Sequence, residues 1–126
     1  MIEIIKSGLY STIQDLGRFG YENYGVPISG SMDQLSSVLS NKLLGNNDND
    51  AVMEITMTGP ILKFLEETKI CITGADISPS INDNSIDINR VYQINKGDVL
   101  KFGKLKYGLR SYLSVSGGFL AGKIMN

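Results

Sequence analysis

Short apolar runs broken by turn residues dominate the chain, and only one stretch carries a helical period. Ile2 to Ile5 is a β-branched run closed by Ser7-Gly8, which predicts a first strand, and Leu9 to Ile13 predicts a second. Between Gln14 and Gly30 the residues Gly17, Gly20, Gly25, Pro27 and Gly30 alternate with Arg18, Tyr21 and Tyr24, a pattern that predicts a long ordered loop. Ser31 and Asp33 then offer N-cap oxygens, and Leu35, Val38, Leu39, Leu43 and Leu44 follow at three- and four-residue steps on one face. Gly45-Asn46-Asn47 stops this helix.

Beyond the polar stretch Asn46 to Asp50, strands are predicted at Ala51 to Met57, Ile61 to Phe64, Lys69 to Thr73, Ile77 to Ile81, Ile86 to Ile88, Val91 to Ile94, Val99 to Phe102 and Ser111 to Val115. Turn signals separate them, among them Thr58-Gly59-Pro60, Thr73-Gly74-Ala75-Asp76, Asn95-Lys96-Gly97-Asp98 and Lys106-Tyr107-Gly108. Many short strands at close spacing predict a barrel or sandwich, mainly β, whose single helix plugs or covers one end. The last seven residues, starting at Leu120, form no recognisable element. We therefore expect residues 1–119 to be the front part of a domain and 120–126 to begin a continuation that this chain lacks.

Composition narrows the chemistry. With 126 residues, 42% of them hydrophobic, the chain can bury a core as one domain. Its 12 basic and 13 acidic residues leave a net charge of -1, which gives no footprint for nucleic acid. The one cysteine, Cys71, lies in an apolar run where a small buried side chain is expected, so no disulfide framework forms. The chain has no histidine, which removes the commonest general base and metal ligand and predicts no metal site. The start Met-Ile-Glu-Ile-Ile-Lys has neither the charge nor the length of a leader, and no apolar stretch is long enough for a span. A cytoplasmic setting is the expectation.

Several polar residues stand where a turn alone does not require them. Gln14, Asp15, Arg18 and Tyr21 put a carboxamide, a carboxylate, a guanidinium and a phenol among glycines, suited to an anion or amide. Asp15 and Arg18 can equally pair with each other to tie the loop down. Gly25 to Asp33 ends where the helix starts, so its amides can attract a carboxylate, or Ser31 or Asp33 can simply cap. Asp76 sits at a strand end, as a rim residue or an ordinary turn residue. Arg110, Tyr112 and Ser114 share one face of the last strand, either half-exposed or lining a cavity. Glu54 is a lone acid in an apolar strand, either facing solvent by alternation or buried as the partner of an arginine.

Taken together, Gly8-Leu-Tyr-Ser-Thr-Ile-Gln-Asp-Leu-Gly-Arg18, Gly20-Tyr21, Gly25-Val-Pro-Ile-Ser-Gly-Ser-Met-Asp33, Leu44-Gly-Asn46, Glu54-Ile-Thr, Thr58-Gly-Pro60, Thr73-Gly-Ala-Asp76, Gly97-Asp98 and Ser116-Gly-Gly118 resemble the carboxyltransferase A–B family. This family is also called allophanate hydrolase subunit 2 or KipA, and includes the C subunit of 5-oxoprolinase. The resemblance implies a cyclophilin-like β-barrel and a KipI-like partner, the B subunit of 5-oxoprolinase. With a LamB/YcsF-type A subunit, the set would open 5-oxoproline to glutamate at the expense of ATP. Fused relatives imply instead carboxyl transfer to urea or a related amide from biotin on a separate carrier, and some members imply a non-catalytic antagonist of a KipI-like kinase inhibitor. No cofactor is expected on this chain itself. Members are usually more than twice as long, so a fragment is expected to be inactive alone. Carried onto the matching positions, the catalytic candidates are Asp15, Arg18 and Asp76, and Gln14, Tyr21, Ser29 and Asp33 are expected to bind substrate. Arg110 and Tyr112 join them from the strand pattern. Arg18 would hold a carboxylate, Asp15 would orient it or accept a proton, and Asp76 would contact an amide N–H.

Overall fold

The computed structural model describes residues 1–8, 33–56, 58–120 and 122–125, together with the backbone of 11–14. The chain forms β1 (Ile2–Lys6), β2 (Ser11–Gln14), α1 (Gln34–Leu44), β3 (Val52–Thr56), β4 (Ile61–Phe64), β5 (Thr68–Asp76), β6 (Ser80–Ile81), β7 (Asn84–Ser85), β8 (Val91–Ile94), β9 (Val99–Lys101), β10 (Tyr107–Val115) and β11 (Ile124–Met125). It is mainly β with one helix, as expected. Local differences have simple causes. Thr73 to Asp76 continues β5 instead of turning, because Gly74 takes a φ of 87° and lets the strand bend without ending. Lys106 to Gly108 runs into β10 for the same reason, and the strand expected at Ile86 to Ile88 is displaced to Asn84–Ser85 beyond a tight turn at Asn82 and Asp83. Ile124–Met125, expected to form nothing, pairs in parallel with Ile2 and Glu3.

The strands fall into two sheets, ordered β11-β1-β4-β9-β6-β7 and β2-β3-β10-β5-β8. Apart from the parallel β1–β11 contact the described pairs are antiparallel. The barrel implied by the family resemblance is not closed by the described strands: among them no ladder links the two sheets. Face-to-face packing buries the same apolar sides without the stagger that closure requires.

Alternation along the strands sorts the core. Met53 and Ile55, Ile70 and Ile72, and Leu113 and Val115 face Ile2, Leu62, Phe64 and Leu100 of the other sheet, and all are at most 3% exposed. Burying each such side chain contributes about 1.5–3 kcal/mol. Ser111 occupies the same side of β10, fully buried, and among the described residues its Oγ has no hydrogen-bond partner. Ser111→Ala is expected to stabilise the protein by about 1 kcal/mol, read as a rise in urea midpoint, because it removes a desolvated hydroxyl that nothing offsets. Cys71 is buried as expected, and burial pushes its thiol up to about 11.

The intervening residues of β3, β10 and β5 face the opposite way and include the polar Glu54, Tyr112, Thr73 and Ser114. Helix α1 lies on this face, against β5 and β10 rather than over an end. It begins on Asp33, whose side chain accepts from the Ser36 N–H at 3.1 Å, and stops at Gly45, which has a φ of 77° and an N–H that bonds back to the last turn. Of the apolar row expected on one face, Leu35 is 86% exposed and Leu39 and Leu43 are each 41%, while Val38 and Leu44 are half-buried. The buried side is Ser37, Ser40 and Asn41. Hydrogen bonds explain the inversion. Ser40 Oγ bonds Ser114 Oγ, Thr73 Oγ1 donates to the Ser36 carbonyl at 2.6 Å, and Asn41 Nδ2 donates to the Asp50 carbonyl at 2.9 Å. A polar helix face that meets a polar sheet face is satisfied in one register only, which seats α1 more specifically than apolar contact would.

Candidate functional site

Where α1 starts, the helix and the bent ends of β5 and β10 leave a cleft of about 480 Å³ lined by Asp33, Ser36, Gly74, Ala75, Gly108, Leu109 and Arg110. Its floor is nearly bare backbone. Gly74 and Gly108 both have φ near 87°, and a Cβ on Gly108 would stand 2.8 Å from Ala75. At this point β10 is irregular: Tyr107 pairs with Asp76 and Ser111 with Gly74, so two extra residues of β10 bulge outward and carry Leu109 and Arg110 to the rim.

The charged groups of the cleft are Asp33 and Arg110. Asp33 Oδ1 accepts from the Ser36 N–H and Oδ2 from the Ser36 hydroxyl at 2.6 Å, and these bonds hold its carboxyl below the usual carboxylate range. It is ionised at neutral pH. Arg110 also lines the cleft and makes no ion pair among the described residues. Asp33→Ala should cost about 1 kcal/mol in unfolding free energy by loss of the cap. That contribution is present at neutral pH and disappears as acid protonates the folded carboxyl, so wild type and variant should converge in stability at low pH.

Beneath the helix start lies a support that is not itself part of the lining. Tyr112, fully buried, donates its hydroxyl to Glu54 Oε2 at 2.7 Å and accepts from the Asp33 N–H at 2.8 Å. Glu54 is buried rather than facing solvent, and its partner here is a phenol instead of the arginine that a buried position had suggested. Burial first, and then the hydrogen bond to Glu54, raises the Tyr112 phenol well above its ordinary value. Tyr112→Phe should lose about 1–3 kcal/mol, because one buried acceptor and one backbone donor lose a partner together. The unfolded phenol ionises near pH 10 while the folded one keeps its proton, so wild-type stability should fall as pH rises past about 10. The phenylalanine variant should lack that alkaline loss.

Of the residues singled out from sequence, Asp33 and Arg110 meet in the cleft, and Tyr112 stands behind it. Asp76 does not line it: its Oδ1 accepts from the Ser78 N–H at 2.9 Å and holds a turn. Asp15, Arg18, Tyr21 and Ser29 lie outside the described residues, as does the side chain of Gln14. Ser36, Gly108 and Leu109 line the cleft without having stood out in the sequence. Ser36 is legible as the third residue after a cap, whereas Gly108 reads only as a turn. A second cavity of about 270 Å³ lies by Met1, Glu66, Glu67 and Lys123, and three of these groups are engaged within the fold. The terminal ammonium pairs with Glu66 at 3.1 Å, and Lys123 donates to the Ser116 and Gly118 carbonyls at 3.3 and 2.5 Å. Among the described residues no cluster of three metal-binding side chains exists, and no helix is long and apolar enough to cross a membrane.

Comparison with known proteins agrees with this architecture. The urea amidolyase of Lachancea kluyveri is 44% identical over 117 residues, 92% of this chain and 6% of that protein. The C subunit of Haemophilus influenzae 5-oxoprolinase is 36% identical over 126 residues, which is 100% of this chain and 41% of that protein. The crystal structure of Kluyveromyces lactis urea amidolyase superposes with a TM-score of 0.81 at 40% identity, covering 96% of this chain and 8% of the other. The chain thus spans about two fifths of the bacterial relative and a small part of the fungal ones. Residues 24–126 match the carboxyltransferase domain, subdomain A and B, and with the shared sheets and helix this shows that the chain belongs to that carboxyltransferase family.

Proposed function

We propose that the protein is one component of an ATP-dependent 5-oxoprolinase and works in the cytoplasm with KipI-like and LamB/YcsF-type partners. The observation that carries this is one cleft lined by both an ionised carboxylate, Asp33, and a basic side chain, Arg110, that makes no ion pair among the described residues, over a floor of bare backbone. A ligand that answers both needs a carboxylate for Arg110 and an N–H for Asp33, on a body small enough to lie against Gly74 and Gly108. 5-Oxoproline has a ring carboxylate and a lactam N–H. In this reading the chain binds and orients the lactam, and ATP is consumed elsewhere in the complex. The name of the H. influenzae relative, one subunit of a 5-oxoprolinase, supports it.

A second reading, a carboxyltransferase component for urea or a related amide, is favoured by the higher identity to fungal urea amidolyases, 44% and 40% against 36% and 32% for the bacterial relatives. Carboxylated urea also pairs an N–H with a carboxylate, and biotin would arrive on a separate carrier. Purified full-length protein with its two proposed partners should hydrolyse ATP only when 5-oxoproline is added. If the complete set shows no 5-oxoproline dependence, and carboxyl transfer from a biotin carrier to urea appears instead, the second reading replaces the first.

A further inference from the structure

We infer that the segment Lys104–Arg110 at the rim of the cleft is a docking surface for an acidic, apolar face of a second protein in the complex. The inference rests on the multi-protein reading proposed above and names the surface that joins it. Three cations, Lys104, Lys106 and Arg110, alternate here with Leu105, Tyr107 and Leu109, which are 47%, 57% and 76% exposed. So dense a run of large exposed apolar side chains is what a contact surface needs, and is costly to leave wet. Among the described residues neither Lys104 nor Lys106 is ion-paired, and the nearby Asp76 carboxylate is engaged by the Ser78 N–H.

The segment is also held in shape before any partner arrives. The Gly103 N–H bonds the Ile77 carbonyl and the Lys106 N–H the Asp76 carbonyl, both at 2.8 Å, and Ser78 Oγ donates to the Lys104 carbonyl at 2.6 Å. Docking therefore orders little backbone, which favours affinity. Positive charge concentrated in seven residues of a chain whose net charge is -1 calls for a local acidic counterpart, and does not provide the broad field that nucleic acid requires. Because Leu109 and Arg110 line the cleft, a partner seated here covers its mouth and excludes water from the bound ligand.

The test is binding of full-length protein to the KipI-like partner, measured by calorimetry at several salt concentrations and by amide hydrogen exchange. We expect residues 104–110 to gain protection in the complex. Leu105→Asp should weaken binding about tenfold or more. The double variant K104E/K106E should slow association and flatten its dependence on salt. Unchanged affinity in both variants while the wild-type complex forms would overturn the docking surface and leave the functional reading standing. Amides 104–110 already protected in the free full-length protein would overturn it as well, showing that the chain's own continuation covers the segment. Failure of the wild-type proteins to associate at all would overturn the multi-protein reading and this surface with it.

Discussion

In the proposed 5-oxoprolinase, Arg110→Ala is expected to lower kcat/KM for 5-oxoproline by about two orders of magnitude, mostly through KM, while the fold survives. The side chain makes no ion pair among the described residues, so truncation breaks none there. A carboxylate brought into a cleft closed to water, however, loses its hydration and needs a charged donor in return, and removing one partner of such a pair costs about 2–5 kcal/mol. Arg110→Lys should recover only part of the loss, because an ammonium keeps the charge without the two parallel bonds of a guanidinium. Activity on an analogue that has the lactam ring but no carboxylate distinguishes this role from a structural one. Arg110→Ala should leave that activity unchanged, and an equal fall on both compounds would refute carboxylate recognition.

Gly74→Ala is the substitution with the largest expected effect on stability, about 3 kcal/mol or more in urea unfolding. At a φ of 87° a side chain is strained by about 1–3 kcal/mol. The new Cβ would also stand 2.4 Å from the Arg110 carbonyl oxygen and 3.2 Å from Tyr112 Cδ2. The first of these atoms is backbone and cannot turn aside, so β10 must move. It would move at the point where it presents Arg110, and activity should fall with stability. Gly45→Ala is the control: φ there is also positive, 77°, but nothing lies within 4 Å of the added carbon. It should cost only about 1 kcal/mol and leave activity unchanged. Equal costs at the two glycines would show that the packing of β5 on β10 is looser than these distances state.

Local pattern was enough for much of the architecture. Alternating β-branched runs marked most strands, and Asp33 and Gly45 marked both ends of α1, because caps and turns depend on atoms a few residues apart. The ordered glycine motifs pointed to the carboxyltransferase family, and the shared face of Arg110, Tyr112 and Ser114 follows from the two-residue period of a strand.

Tertiary structure alone decided which way α1 faces. Periodicity shows that leucines share a side, but not whether the serines and Asn41 opposite them will find partners. Here those partners, Ser114 and the Asp50 carbonyl, are supplied from elsewhere in the chain. In the same way only the fold brings Tyr112 to Glu54, 58 positions away, and sets Arg110 across from Asp33 while leaving Asp76 to its turn. A hydrogen bond is directional and can join residues at any distance in the chain, so no local spacing of residue types announces it, whereas burial of apolar surface leaves its period written along each strand.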